Sequence, residues 1–331
     1  MTWRRRAILV CAAACAVDLP SMSAFAQPRD GLPLVGILQL GAAEPLAGWV
    51  EAVRRGLAQY GLVEGKTMRL AIRHADNDTR RLVGLARELA ALGSRVIVTQ
   101  GTTSVRAAQS GAPAVPVVMA PSADPVGAGF ARSLARPGGN ITGIGTIGPE
   151  IIGKRIEILK EALPAARSFA ALLQAANPAN ARWRPVLDDA GRALGVRIHV
   201  REVSDSGDFA AAFDWAADLK VDGVFLISDP MFDANIDAIA GLALARRLPT
   251  IAGGTGSLSR AGALLSYAQE IDAVLNRAGY YVAEILRGVD PGALPIEQPT
   301  VFRLAINMRT ARTLGLTIPP SLLARADEVI E

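Results

Sequence analysis

The sequence predicts an α/β protein made of two doubly wound lobes, each a parallel sheet with helices on both faces. Three observations predict it. Short apolar runs of about four to seven residues alternate with helical patterns along most of the chain, as parallel strands joined by helical crossovers do. The alternation falls into two consecutive sets of similar size, and 331 residues exceed a typical single domain. Between Val96 and Gly143, two β-branched runs each end in a small polar loop that leads into a helical pattern.

The first set reads as strands at Leu34–Leu40, Met68–Arg73, Val96–Thr99 and Val115–Met119. Helices are expected between them near Pro45–Tyr60, Thr79–Leu92 and Thr103–Ser110. The loops Gln100–Ser104 and Pro121–Pro125 follow the third and fourth strands. In a parallel sheet the strand carboxyl ends line up, so these loops should lie side by side on one edge. The free N–H groups of the helix starts beyond them suit an anion.

The second set opens with a helix at Glu150–Leu163, which places Ile152, Ile156, Leu159 and Leu163 along one face. Strands follow at Ser168–Leu173, Val196–Val200, Gly223–Ile227 and Pro249–Ala252, with helices near Asn180–Leu194, Asp208–Leu219 and Ala234–Arg246. The break between sets is expected at Arg136–Asn140, whose Pro and Gly residues interrupt any helix. The tail holds a strand at Ala263–Tyr267, a long helix at Ile271–Arg287, a Pro-rich turn at Asp290–Pro299 and a strand at Val301–Ile306. That is too little for a third domain, so the tail must complete the two lobes.

The first 26 residues read as a secretory leader, with Arg4-Arg5-Arg6, an apolar Ala7–Val17 and an Ala24-Phe25-Ala26 cleavage site before Gln27. The apolar run is about half the length that a bilayer span needs. Arg5-Arg6 loosely resembles a twin-arginine signal, with an arginine-rich general secretory leader as the alternative. Cys15 lacks the Leu expected before a lipidated cysteine. Both cysteines, Cys11 and Cys15, lie in this leader, so a mature chain would have neither disulfide nor thiolate chemistry. The formal charge of +4 falls by two when Arg4, Arg5, Arg6 and Asp18 leave, and aromatics make up 5% of the residues. That mild, scattered charge gives no nucleic-acid footprint. The mature protein is expected to be exported and soluble.

Several segments together resemble the ABC-transporter substrate-binding proteins of the tryptophan/tyrosine-binding type, within the type I periplasmic binding protein fold. They are Val35–Gln39, Gly61–Gly65, Asp124-Pro125-Val126, Ser133–Gly143, Asn177–Asn180, Ser266-Tyr267 and Leu294–Pro320. The Arg-Pro-Gly-Gly-Asn-Ile-Thr-Gly run at 136–143 and the Pro-Pro-Ser-Leu-Leu-Ala-Arg-Ala-Asp-Glu ending are its most specific parts. The resemblance implies three hinge crossings between lobes and a ligand in the cleft. One lobe would combine residues 31–140 with 254–288, the other 141–253 with 289–331. It also implies an extracytoplasmic, periplasmic solute-binding protein of an ABC importer, with an aromatic or branched amino acid-like ligand as first choice. Its partners would be that small molecule and an inner-membrane ABC permease with a separate ATPase; a monomer is expected. The chain has no Walker A sequence, so the energy must come from a partner. Two positions depart from the family pattern: Ala123 stands where a glycine is common, and the loop Leu40–Pro45 is unusually small and apolar.

The residues themselves favour binding over catalysis, and no cofactor or metal is expected. A Gly-x-Gly-x-x-Gly occurs at Gly143–Gly148, but it overlaps the expected crossing and reads as a hinge rather than a dinucleotide site. His74 and His199 form no metal-spaced pair. There is no Gly-x-Ser-x-Gly elbow, and Asp188-Asp189 lies within a helical pattern, so an exported hydrolase is the weak rival. A ligand-sensing protein without a transporter is the broader one. Eight residues are ligand-binding candidates: Gln39, Thr102, Thr103, Ser122, Asp124, Asn177, Asp229 and Tyr267. Thr102, Thr103 and Ser122 would hold a carboxylate near helix starts, although capping alone also explains the threonines. Asp229 or Asp124 would pair with an ammonium, Asp124 doubling as a helix-start residue and Asn177 as a turn residue. Trp49, Trp183 and Trp215 lie in helical patterns and read as packing residues, with Trp183 close enough to Asn177 to reach a cleft rim.

Overall fold

The structure, a computed structural model, describes residues 31–44, 46–146, 149–253 and 261–331, without the side chains at 149, 150 and 271. The expected leader, Pro45, the end of the glycine motif at 147–148 and the expected boundary at Gly254 therefore lie outside the described residues.

Two sheets form the frame. In the first, β1 (Leu34–Gln39), β2 (Arg69–His74), β3 (Ser94–Thr99), β4 (Val117–Ala123) and β5 (Ile141–Thr146) lie in the order β2-β1-β3-β4-β5, every pair parallel. The side-chain period of two splits its strands between two apolar layers. Val35, Ile37, Val96 and Val98 face α1 (Ala47–Gln59), whereas Leu38, Ile97, Val117 and Met119 face α2 (Leu82–Ala91) and α3 (Thr102–Gly111). The expected helix from Thr79 begins as a 3₁₀ turn, Thr79–Arg81, capped by the Asp78 carboxylate on the Arg80 N–H, and continues as α2.

The second sheet runs β12-β11-β10-β9-β8-β6-β7. Its strands are β6 (Ser168–Gln174), β7 (Arg197–Val203), β8 (Gly223–Leu226), β9 (Thr250–Ala252), β10 (Leu265–Gln269), β11 (Phe302–Asn307) and β12 (Glu328–Ile330). It is parallel except that β11 runs antiparallel to β10, because the chain enters β11 from the opposite end after its last crossing. Helices α4 (Pro149–Ala162), α5 (Asn180–Leu194) and α6 (Phe209–Asp218) flank it. The helix expected near Ala234–Arg246 is α8 (Ile236–Ala245), and an unexpected single turn, α7 (Pro230–Asp233), precedes it. Pro230 occupies the first turn of α7, where its missing N–H costs nothing. Helices α9 (Ile271–Leu286), α10 (Met308–Leu314) and α11 (Pro320–Leu323) complete the chain.

The chain passes between the sheets three times, as the resemblance implies, but at other positions than expected. Arg136–Asn140 is not a crossing: it ends the connection 124–140 that brings the chain back so that Ile141 pairs beside and parallel to Val117, and β5 completes the first sheet. The segment expected to begin the second lobe at Ile141 thus belongs to the first through Thr146. Conversely, Leu265–Gln269 pairs within the second sheet, between β9 and β11, so the first-lobe stretch expected from 254 starts only with α9. The Asp290–Glu297 turn stays with the first lobe, where Ile144 bridges Glu297 and the Thr142 hydroxyl donates to the Leu294 carbonyl at 2.7 Å. The crossings are therefore 146 to 149, 269 to 271 and 298 to 302.

Helix α9 returns to pack on α1, and that contact requires two glycines. A Cβ on Gly56 would lie 2.4 Å from the Leu275 carbonyl oxygen, and one on Gly279 2.3 Å from that of Gly56. No larger residue fits at either point. Among the described residues no helix is long and apolar enough to cross a membrane.

Candidate functional site

The loops that follow β3 and β4 lie side by side, with the Gly101 N–H donating to the Pro121 carbonyl at 2.8 Å. This is the arrangement that the parallel order predicts. Gly101, at φ +77°, carries no capping side chain and turns the chain straight into α3. The first helical bond runs from the Val105 N–H to the Gly101 carbonyl, so the N–H groups of Thr102, Thr103 and Ser104 stand outside the helical ladder. The Thr102 and Ser122 side chains are buried at this edge, and their hydroxyls have no hydrogen-bond partner among the described residues.

The second lobe contributes the facing wall. The loops after β6 and β8 are tied together by Asn177, whose Nδ2 donates to Asp229 Oδ2 at 2.9 Å while its Oδ1 accepts from the Ala179 N–H. Asp229 Oδ1 accepts from the Met231 N–H at 3.0 Å and so caps α7. Asp233, one turn on, completes the acidic side of the wall. Arg155, on α4, is buried beside it. Its Nε donates to the Tyr267 carbonyl at 2.8 Å and its Nη1 to the Ser228 hydroxyl at 2.7 Å.

Between the walls lies a cleft that encloses about 850 Å³ of space, open solvent at its mouth included. Its polar lining comprises Gln100, Thr102, Ser122, Thr146, Arg155, Asn177, Ser228, Asp229, Asp233 and Gln269. Its apolar lining includes Ile151, Ile152, Trp183, Ile227 and Phe302. Thr146, Gln269 and Phe302 sit at the crossings, so the cavity floor is the hinge itself.

Burial sets the electrostatics. It pushes the Asp229 carboxyl up to about 6, against the lowering effect of the Met231 N–H and the Asn177 amide. Burial and then the charge of Asp229 push Asp233 up to about 7, which Arg155 only partly offsets. Burial pulls Arg155 down to about 10, so it remains charged at neutral pH. With one cation and two carboxyl groups among the described lining residues, this wall favours an incoming cation.

Of the eight candidates, Thr102, Ser122, Asn177 and Asp229 line the cavity together. Gln39 lies behind it, fully buried, its Oε1 3.4 Å from the lining Gln100 Nε2. Thr103 follows Thr102 on α3 and does not line it. The Asp124 carboxylate is engaged at the rim, accepting from the Gly127 N–H at 2.9 Å and lying 2.9 Å from Arg182 Nε in a close ion pair. Tyr267 contributes its carbonyl to Arg155 and stacks its ring on Phe302 with centroids 5.5 Å apart.

The sequence reading missed Arg155, Asp233, Gln100, Gln269 and Phe302. One signal was available for Arg155: it falls three residues after Ile152 and four before Leu159, inside the apolar stripe of α4. Trp183 is buried and lines the cavity, whereas Trp49 packs in the α1 layer and Trp215 lies against the second-lobe core. His74 has Nδ1 3.1 Å from the Gly41 carbonyl oxygen, and His199 lies on the edge strand β7. Asp189 pairs with Arg192 on the surface of α5. Among the described residues no group of His, Cys, Asp and Glu could hold a metal ion.

Known proteins share this architecture. A crystal structure of a conserved domain protein from Vibrio cholerae superposes with a TM-score of 0.82 at 26% identity, covering 90% of this chain and 99% of the other. A domain from Streptococcus pneumonia in complex with L-Trp superposes at 0.81 with 23% identity, over 90% of this chain and all of the other. A tyrosine-binding protein of Clostridioides difficile is 24% identical over 282 residues, covering 85% of this chain and 81% of its own length. Residues 35–330 match the family model for ABC transporter substrate binding proteins, a span that takes in both sheets, all three crossings and every wall of the cavity. The chain belongs to the ABC transporter substrate-binding protein family.

Proposed function

We propose that the protein captures a small zwitterionic amino acid, with an aromatic or branched apolar side chain, and delivers it to an inner-membrane ABC permease driven by a separate ATPase. No bond is made or broken in this role. The observation that carries the reading is the division of the cavity. One wall offers unpartnered hydroxyls at a helix N-terminus, the facing wall offers carboxylates, and apolar side chains lie between. A helix start favours negative charge and a carboxylate wall favours positive charge, so the two suit the two ends of an amino acid. Trp183, Phe302, Ile151 and Ile152 suit its side chain.

The tyrosine-binding relative and the neighbour in complex with L-Trp support this class of ligand. Met1–Ala26 would act as the export leader and leave a monomeric periplasmic protein beginning near Gln27. Uptake of a radiolabelled amino acid that the purified protein binds tests the role. Deleting the cognate permease should abolish high-affinity uptake, and unchanged uptake would refute it.

A further inference from the structure

The charged groups of the second-lobe wall are not equivalent. Asp229 is held in place by one hydrogen bond at each oxygen, from the Met231 N–H and the Asn177 amide. Arg155 is occupied by the Tyr267 carbonyl and the Ser228 hydroxyl, and it is packed so closely under Gly253 that a Cβ there would lie 2.3 Å from Cζ. The Asp233 carboxylate differs. It lines the cavity, yet among the described residues it makes no hydrogen bond and no ion pair within 4 Å. Arg155 is the one cation among the described lining residues, and its hydrogen bonds go to the Tyr267 carbonyl and the Ser228 hydroxyl.

A half-buried carboxylate that lines a cleft without a donor is stabilised by a cation that enters it. Asp229 is the N-cap of α7 and Asp233 is its last residue, so the two stand one turn apart. The Asp229 cap fixes the start of that turn, and the turn carries Asp233 to the cavity. The carboxyl of Asp233, pushed up to about 7, is that of an acid whose counter-charge is incomplete.

We infer that Asp233 accepts the cationic amine of the ligand and that Asp229 is the residue that positions it. The assignment rests on the amino-acid reading above and extends it. The ligand then joins the lobes with its own two charges, its carboxylate on the α3 edge of the first lobe and its amine on α7 of the second. Amino acids should bind, and the matching carboxylic acids without the amine should not, because they leave the Asp233 carboxylate without a counter-charge.

Calorimetric titration of the purified protein with the twenty standard L-amino acids, and of each binder's des-amino carboxylic acid, tests this. The unaltered protein should favour the amino acid by about 100-fold or more, as expected for a buried charge left unpaired. Asp233→Asn should lose most of that affinity and should bind the des-amino acid more tightly than the unaltered protein does, a gain that misfolding cannot produce. Equal weakening toward both compounds, or no change toward the amino acid, would overturn the assignment. An inverted preference in Asp229→Asn but not in Asp233→Asn would overturn it while leaving the amino-acid reading intact. Silence of the unaltered protein toward every amino acid would overturn both.

Discussion

Arg182 on α5 reaches from the second lobe to Asp124 at the end of β4 in the first, with Nε 2.9 Å from Oδ2. Its Nη1 also donates to the Gly127 carbonyl at 3.0 Å. Asp124 sits at φ +43°, a conformation that Asp tolerates better than most residues, and the Gly127 N–H holds its carboxylate in place. The contact spans the cleft mouth and therefore exists only when the lobes are together.

Arg182→Ala should loosen closure without touching the ligand. The pair is about one-third exposed on each side, so the loss should be about 1 kcal/mol, or roughly fivefold in affinity. Titration calorimetry reads the affinity. An unchanged value would show that the pair does not contribute to closure.

Gly101→Ala should impair closure more severely. A Cβ there would lie 2.6 Å from the Pro230 ring across the cleft, and the residue's φ of +77° with ψ of 147°, a conformation close to glycine-only, costs another residue about 1–3 kcal/mol besides. Small-angle scattering at saturating amino acid should show compaction for the unaltered protein and much less for this variant. Equal compaction would contradict the closed geometry.

Thr102→Val and Ser122→Ala each remove a hydroxyl from the α3 edge while keeping most of the side-chain volume. Each should weaken amino-acid binding by about 1.5–3 kcal/mol, the range for hydrogen bonds to a charged group. Amines that lack the carboxylate should lose nothing further in these variants. Parallel losses for both compounds would place the carboxylate elsewhere.

Affinity should depend on pH through the second-lobe acids. A bound ammonium lowers the proton affinity of the carboxylate it meets, so the complex holds fewer protons than the free protein. Affinity should therefore be level above about 7, the value for Asp233, and fall as pH drops below it. Asp229, at about 6, adds to the loss at lower pH, whereas Arg155, at about 10, stays charged throughout. Titrations between pH 5 and 8 measure the slope, which Asp233→Asn should flatten near pH 7. A level profile in the unaltered protein would contradict the involvement of these acids.

The strands and most helices were legible because their signals are local. Val96–Thr99 is β-branched and bounded by polar residues, and the α4 stripe repeats with the helical period. The crossings were not legible, because Pro137, Gly138 and Gly139 interrupt a helix equally well in a connection between two strands of one sheet and in a linker between lobes. Sheet membership is a long-range property, and nothing within Leu265–Gln269 states that its neighbours are β9 and β11. The site divided in the same way. Thr102, Ser122, Asn177 and Asp229 stand at strand carboxyl ends, where the fold class directs attention. Asp233 lies on a single turn too short to show periodicity, and Arg155 lies in the middle of a helix, so their roles depend on which faces pack inward.

Binding of an amino acid by both of its charges is tested most directly by a thermal-shift screen of amino acids, sugars and nucleosides against the purified protein. A ligand that binds only the folded state raises the melting temperature by mass action, by about 2.7 kcal/mol of stability at 100 times its dissociation constant. The account predicts stabilisation by one or more L-amino acids with aromatic or branched side chains. Stabilisation by a sugar or a nucleoside, with every amino acid silent, would contradict it.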